Sequence, residues 1–129
     1  MKYLLDTATF LWWVFGQAER LSPTALDLLR DSKNTLVLST VSSWEIAIKY
    51  SLGKLDLKRD PGECLPDVLT QLGCEILPVS LQHSLSVTHL PWYHKDPFDR
   101  LLACQADCED LTLITPDAIF KKYKVKTLW

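Results

Sequence analysis

Short runs of apolar residues recur along the chain, separated by longer stretches in which apolar positions follow helical spacing. Runs that are apolar at most positions are typical of strands buried on both faces of a sheet. A proline in the third run, Pro78, indicates an edge strand or an early end. The predicted strands are Lys2–Leu5, Thr35–Ser39, Glu75–Val79, Leu111–Thr115 and, less strongly marked, Val125–Leu128.

The stretches between these runs begin and end with residues that favour helix termini. Ser22-Pro23, Asp60-Pro61 and Asp96-Pro97 each place a capping side chain before a proline, which is favoured at the first helical position. Gly53 and Gly73 are typical of the position just after a helix. The predicted helices are Thr7–Phe15, Pro23–Asp31, Ser42–Leu52, Pro61–Leu72, Ser80–Thr88, Pro97–Asp107 and Asp117–Lys122.

Strands that alternate with helices predict βαβ crossovers and a mainly parallel sheet with helices on both faces. The expected fold class is therefore α/β, a three-layer α/β/α sandwich. The 129 residues contain no repeat and no linker, so we expect one domain over residues 1–129.

Composition narrows the class of protein. Hydrophobic residues make up 47% of the chain and charged residues 23%, which indicates a folded globule. The net charge of −2 argues mildly against a nucleic-acid binder, since such proteins usually carry a basic excess. The four cysteines form no metal-binding pattern and are expected to be reduced. With no signal peptide or membrane span in the pattern, we expect a cytoplasmic protein without membrane contact.

Four acidic residues follow the predicted strand ends. Asp6 closes the first strand, and Glu45 lies in the first turn of the helix after the second. Asp99 lies in the first turn of the helix reached from the third strand, and Asp117 stands two residues past the fourth. Because ligand sites in open α/β sheets form beyond the carboxyl ends of the strands, we expect all four acids at one edge.

Clustered carboxylates repel one another. Two at about 5 Å with an effective dielectric near 20 cost on the order of 3 kcal/mol. A divalent cation removes that cost, and hard oxygen ligands suit Mg²⁺ or Mn²⁺. Such a site activates water and offsets charge in phosphoryl transfer. The acids therefore predict metal-dependent hydrolysis of a phosphate ester.

Each acid also has a structural interpretation. Asp6 and Asp117 are favourable helix N-caps, and Ser42-x-x-Glu45 forms a capping box. Asp96 is best explained as the cap of its helix, and Asp99 as a first-turn acid favoured by the helix dipole. These interpretations hold one by one, but they do not explain why all four acids fall at one edge.

Four segments of the chain resemble the PIN domain, and within it VapC-type toxins. The resemblance covers nearly the whole chain in the expected order, and the run from Asp96 to Leu102 is its most specific part. The segments are Tyr3–Thr7 (YLLDT), Ser43–Lys49 (SWEIAIK), His94–Ala106 (HKDPFDRLLACQA) and Thr115–Phe120 (TPDAIF).

The resemblance implies a parallel α/β/α fold and Mg²⁺- or Mn²⁺-dependent endonuclease action on RNA, as the toxin of a toxin–antitoxin pair. It implies a homodimer, inhibited by a cognate antitoxin that reaches into the acidic pocket with a basic residue. Pro116 departs from the family, whose members often carry a basic or polar residue there. The implied metal-site residues are Asp6, Glu45, Asp99 and Asp117, with Asp96 either a further ligand or, as we favour, only a cap.

Several residues flank the predicted site and are candidates for contact with RNA phosphates. Among Lys49, Lys54, Lys95 and Arg100, the arginine is favoured because it neighbours Asp99, although solvated surface charge explains any one of them. Thr7 and Thr115 are expected to orient a carboxylate or a metal-bound water, or to serve as turn and cap residues. His94 precedes the acidic run and is a candidate for contact with substrate, but a loop histidine with no evident partner is more often structural or exposed.

Two rival classes of protein are disfavoured by single residues, and two other functions remain alternatives. A receiver domain needs an aspartate at the end of the third strand, and a haloacid-dehalogenase-type phosphatase needs an acid two residues after the first aspartate, where Ala8 stands. A processing nuclease that is not a toxin, and a non-catalytic interaction module, remain alternatives. The class of RNA is not indicated, because RNA recognition often depends on loop shape.

Overall fold

A computed structural model describes the whole chain, residues 1–129, as five strands and six α-helices. No helix is both long enough and apolar enough to cross a membrane. The strands are β1 (Lys2–Leu5), β2 (Thr35–Ser39), β3 (Glu75–Leu77), β4 (Thr112–Ile114) and β5 (Thr127–Leu128). The helices are α1 (Thr7–Val14), α2 (Pro23–Arg30), α3 (Thr40–Ser51), α4 (Pro61–Leu72), α5 (Leu81–Ser86) and α6 (Pro97–Cys108), with 3₁₀ turns at Ala18–Arg20, Val87–His89 and Ala118–Lys122.

All five strands pair in parallel, in the order β3-β2-β1-β4-β5. The predicted parallel α/β sheet is confirmed. As Pro78 suggested, β3 lies at the edge and ends at Leu77. The prediction that every strand is buried on both faces is wrong for β3, because Ile76 is 57% exposed at this edge.

Helices cover both faces of the sheet. Tyr3 and Leu5 of β1 join one apolar cluster with residues of α1, α2, α3 and α4. Leu4, between them, points to the opposite face and joins a second cluster with Leu102 and Ala106 of α6. Successive side chains of a strand point to opposite faces, so this alternation places one apolar layer on each side of the sheet.

The helix after β2 begins earlier than its sequence predicts. Ser39, the last residue of β2, is the N-cap of α3 and accepts a hydrogen bond from Val41 N at 3.0 Å. The predicted capping box at Ser42 is therefore wrong, since Ser42 lies inside the helix and accepts a hydrogen bond from Thr7 Oγ1 at 2.9 Å. Glu45 consequently falls in the second turn of α3, not the first.

Candidate active site

The carboxylate of Asp6 is buried at the end of β1 and held by two neighbours. Its Oδ1 accepts a hydrogen bond from Thr9 N at 2.7 Å, which caps α1. Its Oδ2 accepts one from Thr115 Oγ1 at 2.5 Å. Because β4 pairs beside β1, Thr115 reaches Asp6 directly, and it also accepts a hydrogen bond from Asp117 N at 3.1 Å. Thr115 thus links two of the predicted acids.

Glu45 is buried on α3, where Lys49 contacts it from one helical turn further on. Lys49 Nζ lies 2.6 Å from Glu45 Oε2. This hydrogen bond is the main reason that the pKa of Lys49 is raised, with smaller contributions from the charges of Asp96 and Asp99. The ammonium group of Lys49 therefore stands beside the acidic cluster as its neutralising charge.

The third part of the site is a cluster formed by His94, Asp99 and Asp117. His94 Nε2 lies 2.9 Å from Asp99 Oδ2 and 3.3 Å from Asp117 Oδ2. Neither contact has the angle of a hydrogen bond, so this buried ring nitrogen faces two carboxylates without a hydrogen-bonding partner. One ligand atom from each of the three residues lies within 4.8 Å of the others, close enough to share one metal ion.

Burial and mutual repulsion raise the pKa values of two carboxyl groups, those of Asp99 and Asp6. The pKa of Asp99 is raised to about 7 by desolvation and by the charge of Asp96, with Glu45 and Asp6 adding to the rise and His94 opposing it. The pKa of Asp6 is raised by desolvation, although hydrogen bonds from Thr115 and Thr9 oppose this. These mutual effects mean that the acids predicted from sequence do face one another, and that their joint ionisation is unfavourable without a cation.

Arg100 is not in the position predicted for a phosphate contact. Its side chain is only 3% exposed, and its guanidinium donates hydrogen bonds to the carbonyl oxygens of Leu90, Pro91 and His94 at 2.9–3.2 Å. The ring of Trp92 covers the guanidinium, with 3.7 Å between the Cζ atom and the ring centroid. Arg100 therefore fixes the loop that carries His94, because its donors are bound to backbone carbonyls.

Asp96 has the capping role that was favoured for it, whereas Thr7 is neither a cap nor a turn residue but the first residue of α1. Asp96 Oδ1 accepts hydrogen bonds from Phe98 N at 2.8 Å and Asp99 N at 3.3 Å, so it caps α6 as favoured. Thr7 donates to Ser42 and contacts no acid through its hydroxyl. Asp117 caps the last 3₁₀ turn, accepting from Ile119 N at 2.9 Å.

His94 is a residue of the site that the sequence interpretation did not place among the metal-site residues. Its Nδ1 accepts a hydrogen bond from Asp96 N at 3.2 Å, and its backbone N donates to Tyr123 Oη at 2.8 Å. The first of these contacts was available as a signal, since a histidine two residues before a helix cap can accept from the backbone of that cap. The contact with Asp117 depends on tertiary structure and leaves no trace in local sequence.

The model of the PIN domain family matches residues 3–126. The chain belongs to the PIN domain family. As a PIN domain, it shares its fold with VapBC2 from Rickettsia felis bound to a promoter DNA fragment, at 20% identity and a TM-score of 0.71 over 99% of this chain and 98% of that one. FitAcB from Neisseria gonorrhoeae gives 19% identity and a TM-score of 0.66 over 100% and 97%.

Part of this PIN domain also resembles a protein described as a ribonuclease. Ribonuclease VapC16 of Mycobacterium tuberculosis is 37% identical over 57 residues. The match spans 44% of this chain and 39% of that protein. The likeness therefore concerns a segment of each chain, while the family model covers nearly all of this one.

Proposed function

We propose that this PIN domain is a metal-dependent endoribonuclease that acts as the toxin of a toxin–antitoxin pair. The observation that carries the proposal is the convergence of Asp6, Glu45, Asp99 and Asp117 at the carboxyl edge of the sheet. The repulsion that raises the pKa of Asp99 to about 7 supports a cation at this place.

The side chains at this edge fit a Mg²⁺ or Mn²⁺ ion. The donor set is rich in carboxylates, as these ions prefer, and one imidazole nitrogen faces it without a hydrogen-bonding partner. Asp6, Asp99 and Asp117 would hold the ion, with Glu45 as a further acid. When bound, the ion would supply an activated water and offset charge on the scissile phosphate.

The residues of the chain itself fix this arrangement. Thr115 and Thr9 orient both oxygens of Asp6, so that the carboxylate cannot rotate freely. His94 Nδ1 accepts from Asp96 N, so Nε2 is the ring nitrogen left to face Asp99 and Asp117. Burial excludes bulk water from Asp6, which strengthens every charge interaction around it.

The partner assignments rest on relatives. The solved structures that share this fold are described as VapBC and FitAcB complexes, which supports a cognate antitoxin as partner. In this chain Lys49 already pairs with Glu45, which is the chemistry that a basic antitoxin residue would use in the same pocket. RNA as substrate and a homodimer as assembly belong to the same proposal.

Incubation of the purified, partner-free protein with total RNA tests the proposal. We expect discrete cleavage products with Mg²⁺ or Mn²⁺, none with EDTA, and none with Asp99→Asn. Asp27→Asn, an exposed change on α2 with the same loss of charge, is the matched control and should cleave normally. No cleavage by folded protein with any divalent ion would favour a non-catalytic interaction module.

A further inference from the structure

A cavity of about 490 Å³ is lined in part by the loop that carries His94. Tyr93 of that loop, Ala103 and Asp107 of α6, and Tyr123 of the C-terminal segment line it. Ala103 and Asp107 lie four and eight residues after Asp99 on α6. Residues at this spacing share one face of a helix, so the cavity begins about one turn, or roughly 6 Å, from Asp99.

The lining of the cavity combines two aromatic rings with one carboxylate. Tyr93 and Tyr123 pack with their ring centroids 5.4 Å apart, and Tyr93 is 51% exposed. The backbone of His94 donates to the hydroxyl of Tyr123, so one side chain belongs to both the cavity wall and the support of the acidic site. The carboxylate of Asp107 offers an acceptor of the kind that pairs with the exocyclic amine of a base.

Positive charge is concentrated at this cavity although the chain as a whole is acidic. The C-terminal segment places exposed lysines at 121, 122, 124 and 126. Lys122 and Lys124 line the cavity, and Lys122 Nζ lies 5.9 Å from the centroid of the Tyr93 ring. Lysines interleaved with aromatic rings are the combination that binds single-stranded nucleic acid, through phosphates and stacked bases respectively.

We propose that this cavity binds one unpaired base of the RNA substrate, next to the bond that the acidic site cleaves. The base stacks on Tyr93, and Lys122 and Lys124 contact the phosphates on either side of it. This inference rests on the proposed ribonuclease function and adds to it a base-binding subsite formed by Tyr93, Lys122 and Lys124. Arg100 is bound to carbonyls and Lys49 to Glu45, whereas Lys122 and Lys124 are exposed and form no ion pair, so their charges are free to contact phosphates.

Binding measurements on the Asp99→Asn protein with Mg²⁺ test the cavity apart from cleavage. The probe is a labelled, short single-stranded RNA followed by fluorescence anisotropy. Lys122→Gln/Lys124→Gln should weaken binding severalfold more than Lys33→Gln/Lys121→Gln, which removes the same charge from two exposed lysines outside the cavity that form no ion pair. Equal weakening by the two pairs would show that the lysines act only as general charge and would overturn the inference.

The stacked base is tested by coupling two changes. Tyr93→Ala or Tyr93→Leu should weaken binding on the order of tenfold, whereas Tyr93→Phe should bind normally. An abasic nucleotide, scanned along the RNA, should cause a similar loss at one position, and that loss should vanish in Tyr93→Ala. If the abasic nucleotide and Tyr93→Ala lower the affinity independently, so that their fold-losses multiply, the inference is contradicted. It is also contradicted if RNA binding is unchanged while a peptide occupies the cavity. Cleavage by the wild-type protein is measured separately, so a base cavity that fails while cleavage persists leaves the ribonuclease proposal intact.

Discussion

The two sides of the acidic pocket are held in place by different means. On the strand side, Asp6 is fixed by Thr115, which directly follows β4, and by Thr9 in the first turn of α1. On the loop side, Asp99 and Asp117 face His94, whose position depends on the residue 91–96 loop and on Arg100 within α6. The strand side therefore depends on the pairing of β1 with β4 and on the start of α1, while the loop side depends on contacts between α6 and the 91–96 loop.

The two sides of the pocket therefore differ in how far their geometry depends on a bound cation. Neutral hydroxyl and amide donors satisfy Asp6, so its geometry needs no cation. The loop side holds two carboxylates against one imidazole, and this deficit of positive charge is where we expect a divalent ion to have its largest effect. The predictions below begin with the loop side and end with the strand side.

The largest effect is expected from removing one charge on the loop side. Asp99→Asn should lower RNA cleavage by at least about a hundredfold, or on the order of 3 kcal/mol in activation free energy, because a proposed metal ligand is lost. Initial rates under saturating Mn²⁺ measure the change. Asp27→Asn serves again as control, and cleavage by Asp99→Asn within about threefold of wild type would remove Asp99 from the reaction.

Loss of the hydrogen bonds from Arg100 to the loop that carries His94 should have the next largest effect. Arg100→Lys retains charge but cannot keep three carbonyl contacts and the Trp92 stack, so the free energy of unfolding should fall by about 2 to 4 kcal/mol. Urea denaturation followed by circular dichroism measures it. The exposed Lys54→Ala change should leave the midpoint unaltered. An unaltered urea midpoint for Arg100→Lys would mean that the contacts of Arg100 with this loop contribute no stability.

The raised pKa of Asp99 predicts a pH-dependent stability. Its pKa rises from 3.8, the ordinary value of an aspartate, to about 7 in the folded protein, so the folded state holds the proton more tightly. Stability of the metal-free protein should therefore fall as pH rises from about 4 to about 7, by about 1 to 3 kcal/mol from this group after allowance for solvent screening.

Asp99→Asn isolates this contribution. The variant should match wild type near pH 4 and be more stable above pH 7 in EDTA, because its amide cannot ionise. Thermal melts across this pH range make the comparison. A constant difference between the two proteins at all pH values would contradict the raised pKa.

The strand side should give the smallest effect. Thr115→Val removes the hydroxyl that orients Asp6 and opposes the rise in its pKa, so cleavage should fall about tenfold. Thr115→Ser keeps the donor and should retain nearly full activity. Equal losses for both variants would indicate that packing of the threonine methyl, not its hydroxyl, supports the site.

The sequence predicts a feature correctly where the local pattern of apolar residues and the topology of the sheet both determine it. The strands and the position of Asp6 follow from apolar runs and from the parallel order of the sheet. The start of α3 was mispredicted because Ser39 and Ser42 are equally good caps locally, and only the end of β2 selects Ser39. Burial of Arg100 and the approach of His94 to Asp117 depend on long-range packing, which no local pattern encodes.

Binding of Mn²⁺ tests the central claim most directly, since it needs neither the RNA target nor the partner. Isothermal titration of the metal-free protein, repeated near pH 6 in buffers of different ionisation enthalpy, reports both affinity and released protons. We expect saturable binding with proton release in wild type and in Asp27→Asn, and at least tenfold weaker binding in Asp99→Asn. Identical binding by all three proteins, or none by the folded wild type, would contradict a metal site at the carboxyl edge of the sheet.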